Sequence, residues 1–244
     1  MLTKTQIDEL KQFDAPTICN AIEFFGIRSC IDGFMLPGLK QMAGDHETIV
    51  GYAATAKISS MKPSADPGIF MRYLEYVRET ADPTIVVIQD IDEKSIASFW
   101  GEVNASTHKS LGAVGLVTNG AVRDLKEVNE LNFHFHATCL GVSHGYAHIE
   151  EFGTPVNVLG MEVVPGELIC ADCHGVVKIP DEVAPYLAEA CRFVAEAESN
   201  IIKPCRAAAQ SGVKATMEEI RTWRTKMDTE RKKGAEYYHS LITK

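Results

Sequence analysis

The chain of 244 residues holds no apolar run approaching the roughly 20 residues that a membrane-spanning helix needs. Its opening, MLTKTQIDELKQFD, is too polar to supply the apolar centre of a secretory signal. Basic residues are outnumbered: 24 Lys and Arg face 33 Asp and Glu, a formal charge of -9. Broad binding to nucleic acid or to an anionic membrane needs a basic surface, so neither is expected as a partner. A local basic pocket for a small anion stays compatible with that charge. A disulfide framework is also missing. The seven cysteines are odd in number and scattered, which points to a reducing compartment and to thiols that act mostly as small buried apolar groups. There are no internal repeats and no low-complexity tract. These absences together lead us to expect a cytoplasmic globular protein, long enough to bury a substantial core.

What is present is an alternation of element types. TKTQIDELKQF reads as a polar opening helix capped by Thr3 or Thr5. APTICNAIEFFG places Ile18, Ala21, Ile22 and Phe25 on one helical face, with Gly26 as its stop. ETIVGYAATAKIS predicts a strand, KPSADP a loop, GIFMRYLEYVRET a helix and PTIVVIQDI a short buried strand. A helix from about Gly101 to Leu111, the strand AVGLVTNG, a helix from about Arg123 to Leu131 and the strand FHFHATCLG follow. The middle third thus alternates strand and helix, as in a parallel sheet layered by helices, and the predicted fold class is α/β. Thr154 to Pro180 reads as β-rich hairpins. A long Ala/Glu-rich helix then spans Val183 to about Ser211. The last helix, TMEEIRTWRTKMDTERKKGAEYYHSL, is charged on most faces and thinly apolar, as suits an interaction arm or a solvated tail.

Four stretches carry candidate chemistry. In GLVTNGAVRDLKEV an apolar run enters a turn, and Arg123 and Asp124 stand side by side where strand becomes helix. Ligands of open α/β sheets sit beyond the carboxyl ends of strands. Arg123 offers a fork of donors for a carboxylate or phosphate, and Asp124 a hard oxygen for a cation such as Mg²⁺. The same pair equally suits a helix-start acid beside a solvated cation. In WGEVNAS, which follows the strand TIVVIQDI, Gly101 permits close backbone approach and the next N–H groups form an anion cradle. Glu102 adds a carboxylate, although a helix start without a ligand would favour an acid too. CADCH has the C-x-x-C-H spacing of a covalent haem site or of half a zinc site. It lacks a second C-x-x-C and sits in a β-rich run, so two apolar-side cysteines flanking a turn is the better reading. In HFHATCLGVSHGYAH, His134 and His136 share a strand face and could join His144 or His148 on a metal. That spacing matches no standard zinc pattern, which favours hydrogen-bonded packing residues.

Joined together, WGEVNASTHKSLGAVGLVTNGAVRDLKEV resembles the Gly-Glu stretch, twenty-residue spacer and Arg-Asp-x-x-Glu signature of the RraA-like family. Glu102 and Arg123 enclose twenty residues here. DAPTICNAIEFFG is similar to the family's N-terminal helix, and VVPGELICADCHGVVKIP to its "PGD…AD…GVV" β-segment, so the resemblance runs from about Phe13 to Glu198. The resemblance implies a β/β/α swivelling-type domain over residues 1–182, with a C-terminal helical arm over 183–244 used in oligomer contacts. It implies assembly as a homotrimer or a dimer of trimers (a homohexamer), with sites between subunits. Arg123 would grip a substrate carboxylate, Asp124 would bind Mg²⁺ or Mn²⁺, and Gly101, Glu102, Val103 and Asn104 would cradle a pyruvate moiety. Glu198 on the long helix, with Glu196 as the alternative, would reach a neighbouring subunit's site. The chain departs from the family pattern at Asn119, where many members carry Asp, at Asn104, and in the turn ADCHG.

The family includes class II 4-hydroxy-4-methyl-2-oxoglutarate / 4-carboxy-4-hydroxy-2-oxoadipate aldolases that also decarboxylate oxaloacetate. The implied activity is therefore a divalent-metal-dependent lyase. It would cleave a 4-hydroxy-2-keto acid, or decarboxylate oxaloacetate, through a metal-stabilised pyruvate enolate, with Arg123, Glu102 and Glu198 as catalytic groups. A Schiff-base aldolase is the other chemical class, but none of the named site residues is a lysine; Lys109 and Lys126 are merely near them in sequence. The family also includes a non-enzymatic regulator that inhibits ribonuclease E, for which the charged helix around Trp223 would offer a partner surface. A methyltransferase reading finds no glycine-rich adenosylmethionine loop to support it.

Overall fold

A computed structural model describes residues 1–243. The helices in chain order are α1 (Lys4–Leu10), α2 (Ala15–Glu23), α3 (Ile69–Glu79), α4 (Glu102–Ser110), α5 (Leu125–Glu130), α6 (Ala184–Ser211) and α7 (Met217–Ile242). The longer strands are β1 (Lys40–Ala43), β2 (Ile49–Ser59) and β3 (Thr84–Asp90), and after the short β4 (Ser98–Trp100) come β5 (Ala113–Thr118), β6 (Ala121–Val122), β7 (His134–Ala137) and β8 (Cys139–Leu140). Five more follow: β9 (His148–Phe152), β10 (Val156–Val158), β11 (Met161–Val163), β12 (Leu168–Asp172) and β13 (Gly175–Ile179). The chain forms two compact units, Ile31–Asp181 and the combined segments Met1–Cys30 and Glu182–Lys244.

The larger unit is the expected α/β structure. Its main sheet has the order β1-β7-β5-β3-β2-β12-β13, with β2, β3, β5 and β7 mutually parallel. Strand β2 runs eleven residues, long enough to carry two antiparallel partners on one edge: β12 along Ile49–Tyr52 and β9 along Ala56–Ser59. A strand covered on both faces must be apolar on both, which is why TIVVIQD reads as a continuous run rather than an alternation. Val86 and Ile88 face a core with Tyr73, Trp100, Leu116, Phe133 and Phe135. Ile85 and Val87 face the other core, shared with Val117, Ile169 and the β10–β11 hairpin. No helix among the described residues is long and apolar enough to cross a membrane.

A second sheet of three short strands, β4-β6-β8, is parallel throughout, with Trp100 beside Val122 and Val122 beside Leu140. It corrects one expectation. WGEVNAS does not follow TIVVIQDI directly; residues 92–97 and the first two residues of β4 intervene. Strands of two or three residues are too short to show a period.

The helical unit forms as its caps predict. Thr3 makes a capping box with Gln6, which settles the choice between Thr3 and Thr5, and Thr216 makes another with Glu219. Gly26 and Gly212 both adopt left-handed φ after a helix end. Helix α7 packs on α6, and Phe24, Phe193 and Tyr238 cluster with ring centroids about 6 Å apart. Gly234 is required there, because a Cβ would come within 2.6 Å of the Phe193 ring. The last helix is thus docked on α6 through Gly234 and the buried Tyr238, which a thinly apolar face did not announce.

Candidate functional site

The short parallel sheet positions the candidate site. The chain leaves the carboxyl ends of β4, β6 and β8 at Gly101, Arg123 and Gly141, one residue past the paired Trp100, Val122 and Leu140. All three exits feed one cavity of about 440 Å³, the size of a small-molecule site. Gly101, Val103, Asn104, Arg123 and Asp124 all line it. Glu102 is exposed beside them but is not part of the cavity wall. Glu198 lies on α6 in the other unit, where Arg231 donates to its carboxylate at 2.8 Å. Glu196 borders a separate hollow of about 300 Å³ between α6 and α7.

Asp124 adopts a left-handed backbone, φ 58° and ψ 40°, a conformation uncommon outside Gly that Asn and Asp tolerate best. It does not cap its own helix α5. Instead Oδ2 accepts the backbone N–H of Glu102 at 3.0 Å, so the carboxylate serves the start of α4, whose own cap residue Gly101 has no side chain. A Cβ on Gly101 would collide with that carboxylate and lie 3.0 Å from Arg123 Cγ. Oδ1 of Asp124 has no hydrogen-bond partner among the described residues. Asp124 thus serves the start of α4 through Oδ2 and leaves its other oxygen unengaged beside the cavity.

Arg123 lies across the same wall. Its backbone N–H donates to Trp100 O at 3.0 Å, and its Nη1 donates to Val142 O at 3.1 Å. Nε is buried without an acceptor; the Asp124 carboxylate is 3.7 Å away. A guanidinium pinned at one corner through Nη1, with Nη2 unpaired among the described residues, is suited to an incoming anion.

The floor is held by a buried chain of hydrogen bonds. His108 Nδ1 donates to Asn104 O at 2.6 Å, and Tyr73 OH donates to His108 Nε2 at 2.8 Å. Burial pushes the His108 imidazole down to about 4, so the neutral ring can both donate and accept. Asn104 Nδ2 also donates to Phe99 O at 2.5 Å. The cavity is also lined by residues that sequence reasoning did not place here: Asp66 in the 62–67 loop, Phe70 of α3, and His144 and His148. Asp66 is held below the usual carboxylate range by the Arg72 guanidinium.

The other candidates part company with the cavity. His134 and His136 do share a face, with rings stacked at 6.4 Å, but His144 and His148 line the cavity instead of joining them. Burial pushes His136 down to about 4. Among the described residues, only Asp172, Cys173 and His174 bring three candidate metal-binding atoms within 4.8 Å of one another. Cys170 is buried and Cys173 exposed, so only one of the two faces the apolar side of the turn. Asn119 turns out to clip the backbone: Oδ1 accepts from Asp90 N–H at 2.7 Å while Nδ2 donates to Asp90 O at 2.8 Å. An aspartate could make only the first of these bonds.

Residues 15–178 match the family described as RraA-like, Aldolase/RraA. The chain belongs to the RraA-like family. It is 28% identical over 194 residues to an uncharacterized protein of Methanocaldococcus jannaschii, covering 79% of this chain and 85% of that one. It is 27% identical over 184 residues to the "Putative 4-hydroxy-4-methyl-2-oxoglutarate aldolase" of Halalkalibacterium halodurans, covering 73% and 80%. Its fold is similar to that of Streptomyces coelicolor RraAS2, an unusual member of the RNase ES inhibitor RraA protein family. That likeness has a TM-score of 0.61 at 21% identity, over 77% of this chain and 90% of that one. The RraA-like match takes in the whole cavity and stops at residue 178, before α6 and α7.

Proposed function

We propose that this RraA-like protein is a divalent-metal-dependent lyase acting on a small 2-keto acid, by aldol cleavage of a 4-hydroxy-2-keto acid or by decarboxylation of oxaloacetate. The observation that carries the reading is the pairing, within one cavity, of an under-satisfied Arg123 guanidinium with an Asp124 carboxylate whose Oδ1 is unengaged. The name of the Halalkalibacterium relative supports it.

The residues fit a hard cation. Asp124 offers a carboxylate oxygen, and Mg²⁺ or Mn²⁺ commonly takes one or two protein carboxylates and fills the rest of its shell with water and substrate oxygens. Asp124 is the residue that would hold it. When bound, such a cation supplies Lewis acidity toward the keto acid. Arg123 would bind and orient the substrate carboxylate and place fixed positive charge where negative charge develops. Gly101, Val103 and Asn104 would receive the pyruvate end against the first turn of α4, whose dipole and free N–H groups favour an anion. Glu102 stands outside the wall and would polarise water there. Glu198 would act in the site of a neighbouring subunit, and with it the proposal takes in a trimer or dimer of trimers with residues 183–244 in its contacts. Aldol cleavage also needs an acceptor for the C4 hydroxyl proton.

Borohydride trapping with pyruvate tests the class. Among the described residues no lysine lines the cavity, and Lys109 donates to Leu131 O and Asn132 O. EDTA-sensitive turnover without a covalent adduct is expected. An adduct would sink the metal-dependent reading, and no metal-dependent turnover on any 2-keto acid would favour a regulator of the ribonuclease-inhibitor type.

A further inference from the structure

The three strand ends deliver three segments to the cavity, and the chemistry proposed so far uses two. The third, residues 141–147 after β8, is tied down along its length. Gly141 N–H donates to Val122 O at 3.1 Å, Ser98 N–H to Ser143 O at 2.8 Å, Gly145 N–H to Ser143 Oγ at 3.0 Å and Tyr146 N–H to Ser60 O at 3.2 Å. Arg123 Nη1 holds the same segment at Val142 O. This loop therefore presents its side chains from a fixed frame, and one of them is His144.

His144 and His148 both line the cavity, and their hydrogen bonds differ. His148 engages both ring nitrogens: Nδ1 meets Tyr146 O at 2.8 Å and Nε2 meets Glu150 Oε1 at 2.9 Å. His144 engages one, with Nδ1 at 2.8 Å from Gly145 O. A carbonyl oxygen only accepts, so the proton of the neutral ring sits on Nδ1. Nε2 then carries a lone pair and has no partner among the described residues. An imidazole with its tautomer fixed by the backbone and its other nitrogen open is the arrangement a proton acceptor needs.

We propose that His144 is the general base of aldol cleavage in this site, an inference that rests on the lyase reading above. Nε2 takes the proton of the substrate's C4 hydroxyl. The O–H electron pair becomes the second bond of the C4 carbonyl, the C3–C4 bond breaks, and its electrons pass to C3 as the pyruvate enolate. The imidazolium returns the same proton to C3, releasing pyruvate and a carbonyl product, so no further reactant is needed. Oxaloacetate carries no C4 hydroxyl, and its decarboxylation does not call on this base. His144 therefore sets the balance between the two reactions.

The test measures pyruvate release from a 4-hydroxy-2-keto acid and from oxaloacetate, with Mg²⁺ or Mn²⁺, in wild type and in His144→Gln. The ratio of cleavage to decarboxylation is expected to fall by on the order of 10² in the variant. Imidazole added to His144→Ala should restore part of the cleavage. Independently of turnover, long-range ¹H–¹⁵N spectra of the wild-type protein should show the Nδ1–H tautomer for His144. Cleavage by wild type with an unchanged ratio in His144→Gln, or an Nε2–H tautomer, would overturn the assignment to His144 alone. Pyruvate release from neither substrate by wild type would overturn the lyase reading and this inference with it.

Discussion

Asp124 Oδ2 accepts the backbone N–H of Glu102 at 3.0 Å, joining the starts of two helices that are 22 residues apart in the chain. The contact depends on two backbone features. Asp124 takes a left-handed φ, and Gly101 leaves the space that its carboxylate occupies. The arrangement places an acid, a guanidinium and a helix N-terminus on one wall.

Gly101→Ala should break this arrangement. The added methyl would sit about where the Asp124 carboxylate lies, so Asp124 or α4 must shift. We expect a destabilisation of ~1–3 kcal/mol, as for an overpacked site, together with weaker binding of Mn²⁺. Thermal denaturation and Mn²⁺ titration read the two effects separately. Unchanged Mn²⁺ affinity would show that the contact does not shape the acid's position.

Arg123→Ala should lower kcat/KM on a 2-keto acid by ~10²–10³, the loss seen when a single stabilising donor is removed. Arg123→Lys should recover little of it, because an ammonium cannot both hold Val142 O and present a planar fork to a carboxylate. Recovery to near the wild-type rate in the lysine variant would mean that charge alone matters.

Tyr73→Phe removes the hydroxyl that donates to His108 Nε2 beneath the cavity. Both groups are fully buried, so the ring nitrogen would be left unsatisfied at a cost of ~1–3 kcal/mol. Urea denaturation gives the number. A neutral result would mean that water or a rearranged ring replaces the hydroxyl.

Stability should fall on mild acidification. His108 and His136 are pushed down to about 4 by burial, while the unfolded ring titrates near 6.5. Between those values the unfolded chain binds more protons than the folded one, so this contribution is complete above pH 6.5 and is lost as pH falls toward 4. The loss reaches up to ~3 kcal/mol per ring at the lower limit. Asp90, whose carboxyl burial pushes up, works in the opposite sense. Urea denaturation from pH 7.5 to 5 should show the decline, and His136→Asn should make it shallower. A parallel slope in that variant would remove His136 from the account.

Much of this architecture was legible before the structure. The buried strands of the large sheet announced themselves as β-branched runs, and the helices by their period and caps. Arg123, Asp124 and Gly101 stood out by their place after apolar runs and by the spacing of the family signature, since the residue types alone equally suited an unliganded helix start. The β4-β6-β8 sheet did not, because its strands span two or three residues and owe their existence to pairing across the fold. For the same reason the loop after β8 could not be placed beside Arg123, and His144 and His148 were grouped with the buried His134 and His136 instead. The histidine-rich stretch was a visible signal; which of its rings meet was a matter of tertiary structure. Asn119 shows the converse. It stood in the sequence as a departure from the family pattern, and the structure shows it as a two-bond clip on the Asp90 backbone.

The most direct test of the account is pyruvate release over a panel of 4-hydroxy-2-keto acids and oxaloacetate, with and without Mg²⁺ or Mn²⁺, by wild type and by Asp124→Ala matched for secondary structure and assembly. The account predicts turnover by wild type that appears only with the metal and is lost in Asp124→Ala. Equal turnover by the two proteins, or turnover unaffected by EDTA, would contradict it.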